Sequence, residues 1–368
     1  MKITRISRFA LVVFIIFQAL TTSAEMSRAA SDYLKHALDL MQHHALHRKE
    51  IDWPQLRRAA TAYAKDAQTP AETYPAITYA CLQLKDHSSH LEEPNGTPIA
   101  ILNRSSTIRM LAAKEAHGRK LVSDEPSPFA DRSSIVLTML QSRGRRYAYL
   151  VIPYSAYPHR LDSDPKRHNE WAEDLFHLVS VAKQRGAQGW IVDLRGNTGG
   201  YLSPMLAGLQ SLLGDGNVLT LRGPGAKNRL SIKDGAVLNR AGFGRESVEA
   251  NVEEKQIPDE TKAPVVILLD RGTLSAGESL AIAFEGRKRT LFVGERTAGL
   301  TDSGTYWDLS DGAVLSIMSQ RVYDRHGHDY PEGIEPETRV QDPKTVTNIS
   351  DDPAVLSAED WLSQVPQR

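Results

Sequence analysis

Cysteine is all but absent from this chain. Cys81 is the single one in 368 residues, so no intrachain disulfide can form and the fold must hold through its core. An excess of charge of either sign is lacking too. The 44 basic and 45 acidic side chains leave a net charge of -1, which gives no electrostatic reason to expect nucleic acid or an anionic membrane surface as partner. Internal repeats, low-complexity stretches and long runs of like charge are missing. Beyond the N-terminus no segment approaches the length of a transmembrane helix. No His-Glu-x-x-His accompanies His43, His44 and His47, so a solvated helix face explains them better than a metal site. What remains, 41% hydrophobic and 24% charged, is an ordinary globular composition, long enough for one large domain and a smaller one.

The N-terminus stands apart. Lys2, Arg5 and Arg8 precede an apolar run from Phe9 to Leu20, and Thr22, Ser23 and Ala24 supply the small residues of a cleavage site. This is the layout of a secretory signal peptide over 1–24, with an uncleaved anchor as its rival. An exported, periplasmic or secreted protein is expected. The Asn95, Asn103 and Asn348 sequons would matter only in a eukaryotic secretory pathway.

Residues 25–97 read as a small helical region. Tyr33, Leu34, Ala37, Leu38 and Met41 repeat at helical spacing, as do Leu56, Ala59, Ala60, Tyr63 and Ala64. Pro54 suits a first helical turn, and a third helix is expected over 71–84. Residues 98–368 then alternate between strands and helices. Strand signals lie at 134–140, 146–153, 189–194, 217–221, 263–269, 290–293 and 313–320. Helices are expected at 168–185, 203–213, 276–285 and 353–364. Strand, glycine-containing turn, then helix is the pattern of an α/β fold, a mixed sheet with covering helices.

Two segments could carry chemistry. In the first, the apolar strand Val265–Leu269 ends in a turn containing Gly272, and a helix starts at or just after Ser275. A serine there sits at the sheet edge with its hydroxyl near a positive helix end, which could stabilise an alkoxide and a nearby oxyanion. The same residues spell a capping box, Ser275-x-x-Glu278. In the second, the strand Gly189–Leu194 runs into a loop holding Gly196, Gly199 and Gly200. Such a loop lets backbone N–H groups point at an anion. The spacing is wrong for a nucleotide P-loop, and an oxyanion hole or a plain tight turn remains.

Taken together and in order, Asp193-Leu-Arg-Gly-Asn-Thr-Gly-Gly200, Thr273-Leu-Ser-Ala-Gly-Glu278, Gly294-Glu-Arg-Thr-Ala-Gly299 and Gly333-Ile-Glu-Pro336 resemble the C-terminal processing (tail-specific) serine peptidase family, which includes the tricorn core protease. The likeness runs from about residue 30 to the C-terminus. It implies a ClpP/crotonase-like α/β core, with Ser275 as nucleophile and the amides of Gly199, Gly200 and Ala276 as oxyanion donors. One branch of the family uses a lysine where this chain has Leu300. The resemblance is therefore to the tricorn-like branch, whose serine–histidine pair comes from the N-terminal region. Here that segment reads Asp86-His87-Ser88-Ser89-His90. His87 and His90 are the alternative bases, with Ser89 beside the second, and surface loop histidines are the plain reading of both. The orienting acid is placed at Glu332, with Glu335 and Asp329 as competitors.

Other signals carry less. Ser180-x-x-Lys183 lies inside a predicted amphipathic helix without its companion motifs. His326 and His328 read as a turn, and Tyr147, Tyr149, Tyr154 and Tyr157 as sheet packing. The expectation is an exported serine peptidase acting by acyl transfer, with no cofactor, no metal and a peptide or protein as partner. A non-catalytic peptide-binding scaffold on the same fold is the alternative, and an esterase of small acyl substrates a third reading.

Overall fold

A computed structural model describes residues 25–86, 88–97, 99, 135–154, 165–242, 244–254, 258–341 and 348–366. The expected signal peptide at 1–24 lies outside the described residues. Three helices open the chain: α1 (Arg28–His44), α2 (Trp53–Tyr63) and α3 (Tyr74–Leu82). Ser27 caps α1 by accepting from the Ala30 amide, and Asp52 caps α2 by accepting from that of Gln55. The buried face of α1 is the predicted one, Tyr33, Leu34, Ala37, Leu38 and Met41 with Ala30. The expected third helix is shorter than its pattern, because a 3-10 turn at Ala71–Thr73 precedes it.

The larger part is built on two sheets. β2 (Val136–Ser142) and β3 (Arg145–Val151) form a hairpin whose turn, Arg143 and Gly144, takes positive φ at both positions, the turn that matches strand twist. After α4 (Pro165–Gln184) comes β4 (Trp190–Asp193), and further on β9 (Val265–Leu269), β10 (Thr290–Gly294) and β13 (Thr338–Arg339). Among the described residues these give a six-stranded sheet in the order β13-β10-β9-β4-β3-β2, parallel from β13 to β3. Every residue of β4 and β9 is buried, as expected for strands covered on both faces. One face packs Val192, Ile267 and Leu269 on Leu175 and Leu178 of α4 and on Leu280 and Ile282 of α7 (Ala276–Phe284). The other packs Ile191, Val266 and Leu268 on Val355, Ala358 and Leu362 of α8 (Pro353–Gln364).

The second sheet is antiparallel. It contains β1 (His90–Glu92), β5 (Gly216–Gly223), β6 (Ala226–Lys233), β7 (Ala236–Arg240), β8 (Glu246–Asn251) and β12 (Val314–Tyr323), with β11 (Ser303–Asp308) on the other edge of β12. The meander from β6 to β8 has no counterpart in the sequence reading, because its solvent-facing alternation carries few apolar residues. The helix expected at 203–213 splits into α5 (Leu202–Gly208) and α6 (Gln210–Leu213), separated by a non-helical Leu209. At Gly208 a β-carbon would stand 2.7 Å from the Leu175 side chain, so α4 and α5 meet through a glycine.

The N-terminal helices do not close a core by themselves. Their apolar faces join Leu91, Leu309, Ala313, Leu315 and Ile317 in one cluster, so β11, β12 and their connection complete it. Among the described residues no helix is long and apolar enough to cross a membrane, and no group of residues is arranged to hold a metal ion.

Candidate active site

Adjacent parallel strands β4 and β9 end side by side, and the two segments singled out in the sequence are the loops that follow them. In open α/β sheets the carboxyl ends of the strands are where ligands bind. Side-chain bonds clamp the loops together. Asp270 accepts from the Gly196 amide at 2.9 Å and from the Gly272 amide at 2.9 Å. Thr273 returns a bond from its hydroxyl to the Leu194 carbonyl at 2.8 Å. The Leu274 amide donates to the Asn197 carbonyl. Asn197, fully buried, reaches the end of β3 as well, its side-chain amide donating to the Ile152 carbonyl at 3.0 Å.

Ser275 stands at the N-cap of α7 with φ 55° and ψ -123°, a backbone conformation that costs a non-glycine residue of order 1–3 kcal/mol. The residue packed against it is Gly199. A β-carbon added there would lie 2.9 Å from Ser275 Cβ, 3.2 Å from Ser275 Oγ and 3.1 Å from the Ala276 nitrogen. The serine hydroxyl thus meets glycine backbone, beside the first amides of a helix, where orphan N–H groups and the helix dipole favour negative charge.

Glu278 holds this corner from below. Its carboxylate is fully buried and accepts from the Ser275 amide (3.2 Å), the Gly299 amide (2.7 Å), the Leu300 amide (2.7 Å) and the Thr297 hydroxyl (2.5 Å). Burial raises its pKa, against the lowering effect of those four donors. The capping box and the chemical reading of Ser275 therefore coexist. The same carboxylate carries the Thr297–Leu300 loop up to the serine, and Leu300 itself is buried with Leu274 and Ala298. Glycine is required at 299, where φ is 76° and the Glu332 and Gly333 backbone passes close by.

A second buried charge system lies beside the glycine loop that follows β4. Arg195 is ion-paired with Asp193 at 2.5 Å and with Asp352 at 2.8 Å, all three side chains being almost fully buried. The Tyr149 hydroxyl also donates to Asp193 at 2.6 Å. Burial works against the guanidinium charge, but the paired carboxylates outweigh it and raise its pKa.

With this geometry in hand, comparison with known proteins decides the family. Residues 146–340 match the profile of peptidase family S41.

The chain belongs to peptidase family S41.

The nisin-resistance protein of Lactococcus lactis is 27% identical over 299 residues, covering 81% of this chain and 79% of that protein. A carboxyl-terminal-processing protease of Synechocystis is 31% identical over 175 residues, 46% of this chain and 35% of that protein. Among solved structures, a lipoprotein from Streptococcus agalactiae superposes with a TM-score of 0.61 at 18% identity, over 92% of this chain and 97% of that one. The photosystem II D1 C-terminal processing protease follows with a TM-score of 0.53 at 16% identity, covering 87% and 96%. These structures share the S41 fold, the mixed α/β architecture expected from the sequence, with its small helical N-terminal region.

The S41 fold brings some of the predicted residues together and disposes of others differently. Ser275, Ala276, Gly199 and Gly200 converge. The Gly199 amide donates to Asn197 Oδ1 at 2.9 Å in a buried bond. His87 lies outside the described residues. Its flanks are described: the Asp86 carboxylate accepts from the Ser88 and Ser89 amides at 3.0 and 2.8 Å. Ser89 donates its hydroxyl to Asp86 Oδ2 at 2.7 Å and accepts from the Met318 amide at 2.9 Å, so that hydroxyl is a structural tie between the turn and β12. His90 begins β1 with both ring nitrogens engaged, Nδ1 with the Ser88 carbonyl at 2.7 Å and Nε2 with Glu92 at 3.1 Å. Burial opposes its charge, yet the Glu92 carboxylate and the Ser88 carbonyl prevail and raise its pKa. Among the carboxylates, Glu332 is exposed and faces Arg296 at 3.7 Å, Glu335 pairs with Arg339 at 2.8 Å, and Asp329 with Arg321 at 3.0 Å.

Sequence reasoning passed over Asp302. It follows the loop that Glu278 grips, is half-buried, and has its pKa pushed up to about 6 by burial, opposed by Arg321 and reinforced by Asp86. No local pattern marks it, because its neighbours come from the far N-terminal region and from β12.

Proposed function

We propose that this S41 family member is an exported serine peptidase that cleaves peptide bonds by acyl transfer, with Ser275 as nucleophile. The observation that carries this is the contact between Ser275 and Gly199 at the N-terminus of α7. A hydroxyl held in an unfavourable backbone conformation, against glycine backbone and beside the Ala276 amide, is arranged for attack on a carbonyl whose oxygen turns negative. The Gly200 and Ala276 amides are the oxyanion donors in this reading, and Asn197 orients the loop that presents Gly200.

His87 is the general base we favour. The ring of His90 has no nitrogen left to accept a proton from serine, since one is held by a backbone carbonyl and the other by Glu92. His87 is attached to the Asp86 turn, and Asp86 and Asp302 interact electrostatically. The helical region 25–97 supplies the base and the rest of the chain the nucleophile. Peptide or protein substrates follow from the family, and an exported location accords with the expected signal peptide.

Labelling by a serine-directed fluorophosphonate tests the assignment, on the wild type and on Ser275→Ala, His87→Ala and His90→Ala. The expected result is labelling abolished by Ser275→Ala, reduced by roughly 10²-fold or more in His87→Ala, and retained in His90→Ala. A folded wild type that does not label would establish the scaffold reading instead.

A further inference from the structure

The antiparallel sheet carries a group of cations far from Ser275. Leu219 and Leu221 of β5 and Leu230 of β6 face the core, so Arg222, Lys227 and Arg229 project from the opposite face. Arg222 stands directly opposite Lys227 on one side and opposite Arg321 on the other. Like charges at directly opposed positions destabilise a strand pair, so sheet formation gives no reason for this arrangement.

The turn after β12 and these side chains line an open cavity of about 240 Å³, to which Arg325 adds a fourth cation. Asp324 lines it as well, its carboxylate held ionised by the His326 amide at 2.8 Å, the His328 amide at 2.9 Å and the Tyr330 hydroxyl at 3.0 Å, so one negative charge beside Arg325 faces four cations. Among the described residues the side chains of Arg222, Lys227 and Arg229 make no hydrogen bond or ion pair, and Arg222 only stacks on the Tyr323 ring at 4.3 Å. Arg325 donates to the Ala283 carbonyl at 2.9 Å, while its buried Nε has no acceptor.

We propose that this cavity binds a phosphate-type dianion, with Arg222, Lys227, Arg229 and Arg325 as its cationic contacts. Planar guanidinium forks suit phosphoryl oxygens, and a dianion answers four converging cations better than a single carboxylate would. The field is already felt nearby, because Arg287 has its pKa pulled down to about 10 by burial and then by Arg325. This site is separate from the candidate active site: Arg325 touches the C-terminal end of α7, and Ser275 caps the other end, roughly 13 Å away along the helix axis. The phosphoryl group could be free in solution or the headgroup of a phospholipid, and the two sources separate experimentally.

Binding of inorganic phosphate by the purified protein is measured calorimetrically at constant ionic strength. Sedimentation with vesicles of phosphatidylglycerol in phosphatidylcholine runs in parallel. The variants are Arg222→Gln/Lys227→Gln and, independently, Arg229→Gln, all at exposed positions. Saturable binding to phosphate, weakened roughly tenfold or more in each variant, establishes a site for the free anion. Variant-sensitive binding to the vesicles alone establishes the headgroup as the source. No saturable binding to either probe, or variants that bind as the wild type does, overturns the proposal.

Discussion

At Gly199 a methyl group would come within 2.9 Å of Ser275 Cβ and 3.1 Å of the Ala276 nitrogen, on a backbone with φ +108°. Both the contact and the dihedral exclude a side chain, since the left-handed region costs an L-residue roughly 1–2 kcal/mol. Gly199→Ala should therefore push Ser275 and the Ala276 amide out of place and lower kcat by about 10²-fold, the magnitude associated with misplacing a reacting group by about 1 Å, while changing KM little. Steady-state kinetics on a peptide substrate checks this, and an unchanged kcat would remove Gly199 from the site. The pairing of Ser275 with this glycine was legible from two ordered motifs. That the Gly199 amide is engaged by Asn197 was not, because an asparagine in a loop reads equally as an Asx turn. That both ring nitrogens of His90 are engaged likewise escaped the sequence. Which imidazole is already occupied depends on Glu92, whose side chain meets His90 through the geometry of β1.

Among the elements, α8 does more than cover the sheet. Its N-cap, Asp352, accepts from the Ala354 amide at 2.9 Å and also pairs with Arg195 next to the glycine loop after β4. The helix lies beyond the segment 146–340 that matches the family, yet its N-cap pairs with a charge buried in that segment. Asp352→Asn keeps a good cap and removes the ion pair. It should cost about 1.5–3 kcal/mol, read as a lower urea midpoint with unchanged slope. A change within about 0.5 kcal/mol, the range of ordinary surface substitutions, would show that Asp193 alone suffices for Arg195. The start of α8 was read correctly because Asp-Pro before an apolar face is a strong start signal. The strands β6 to β8 went unread although Asp234-Gly235 at the β6–β7 turn is a hairpin dipeptide. Both residues take positive φ there, but the flanking strands are rich in Lys, Arg, Asn and Glu, and their apolar alternation is too sparse to register.

For the molecule as a whole, β12 is the shared member. Leu315 and Ile317 belong to the core of the N-terminal helices, and Val322 on the same strand belongs to the main core. The helical region and the peptidase core are thereby expected to unfold together. Ile317→Ala, at a fully buried position, should cost about 2–5 kcal/mol and lower one cooperative thermal transition rather than split it. Calorimetry resolving two transitions would mean that the regions are energetically independent. A sequence boundary at residue 97 could not reveal this sharing, because Leu91 and Ile317 are far apart in the chain and meet only through strand pairing.

What the sequence determined by itself is local. The periodicity of Tyr33 to Met41, the buried runs of β4 and β9, the glycines of the loop after β4 and the serine opening α7 are each written within a few residues, where backbone sterics and burial act directly. The tertiary structure alone decided which charges are satisfied. Glu278 gathers donors from the Thr297–Leu300 loop, Arg195 finds Asp352, and Ser89 ties to Met318, while Arg222, Lys227 and Arg229 converge without an ion pair among the described residues. A net charge near zero says nothing about that balance, because the energy of a charge depends on its burial and on partners supplied by distant parts of the chain.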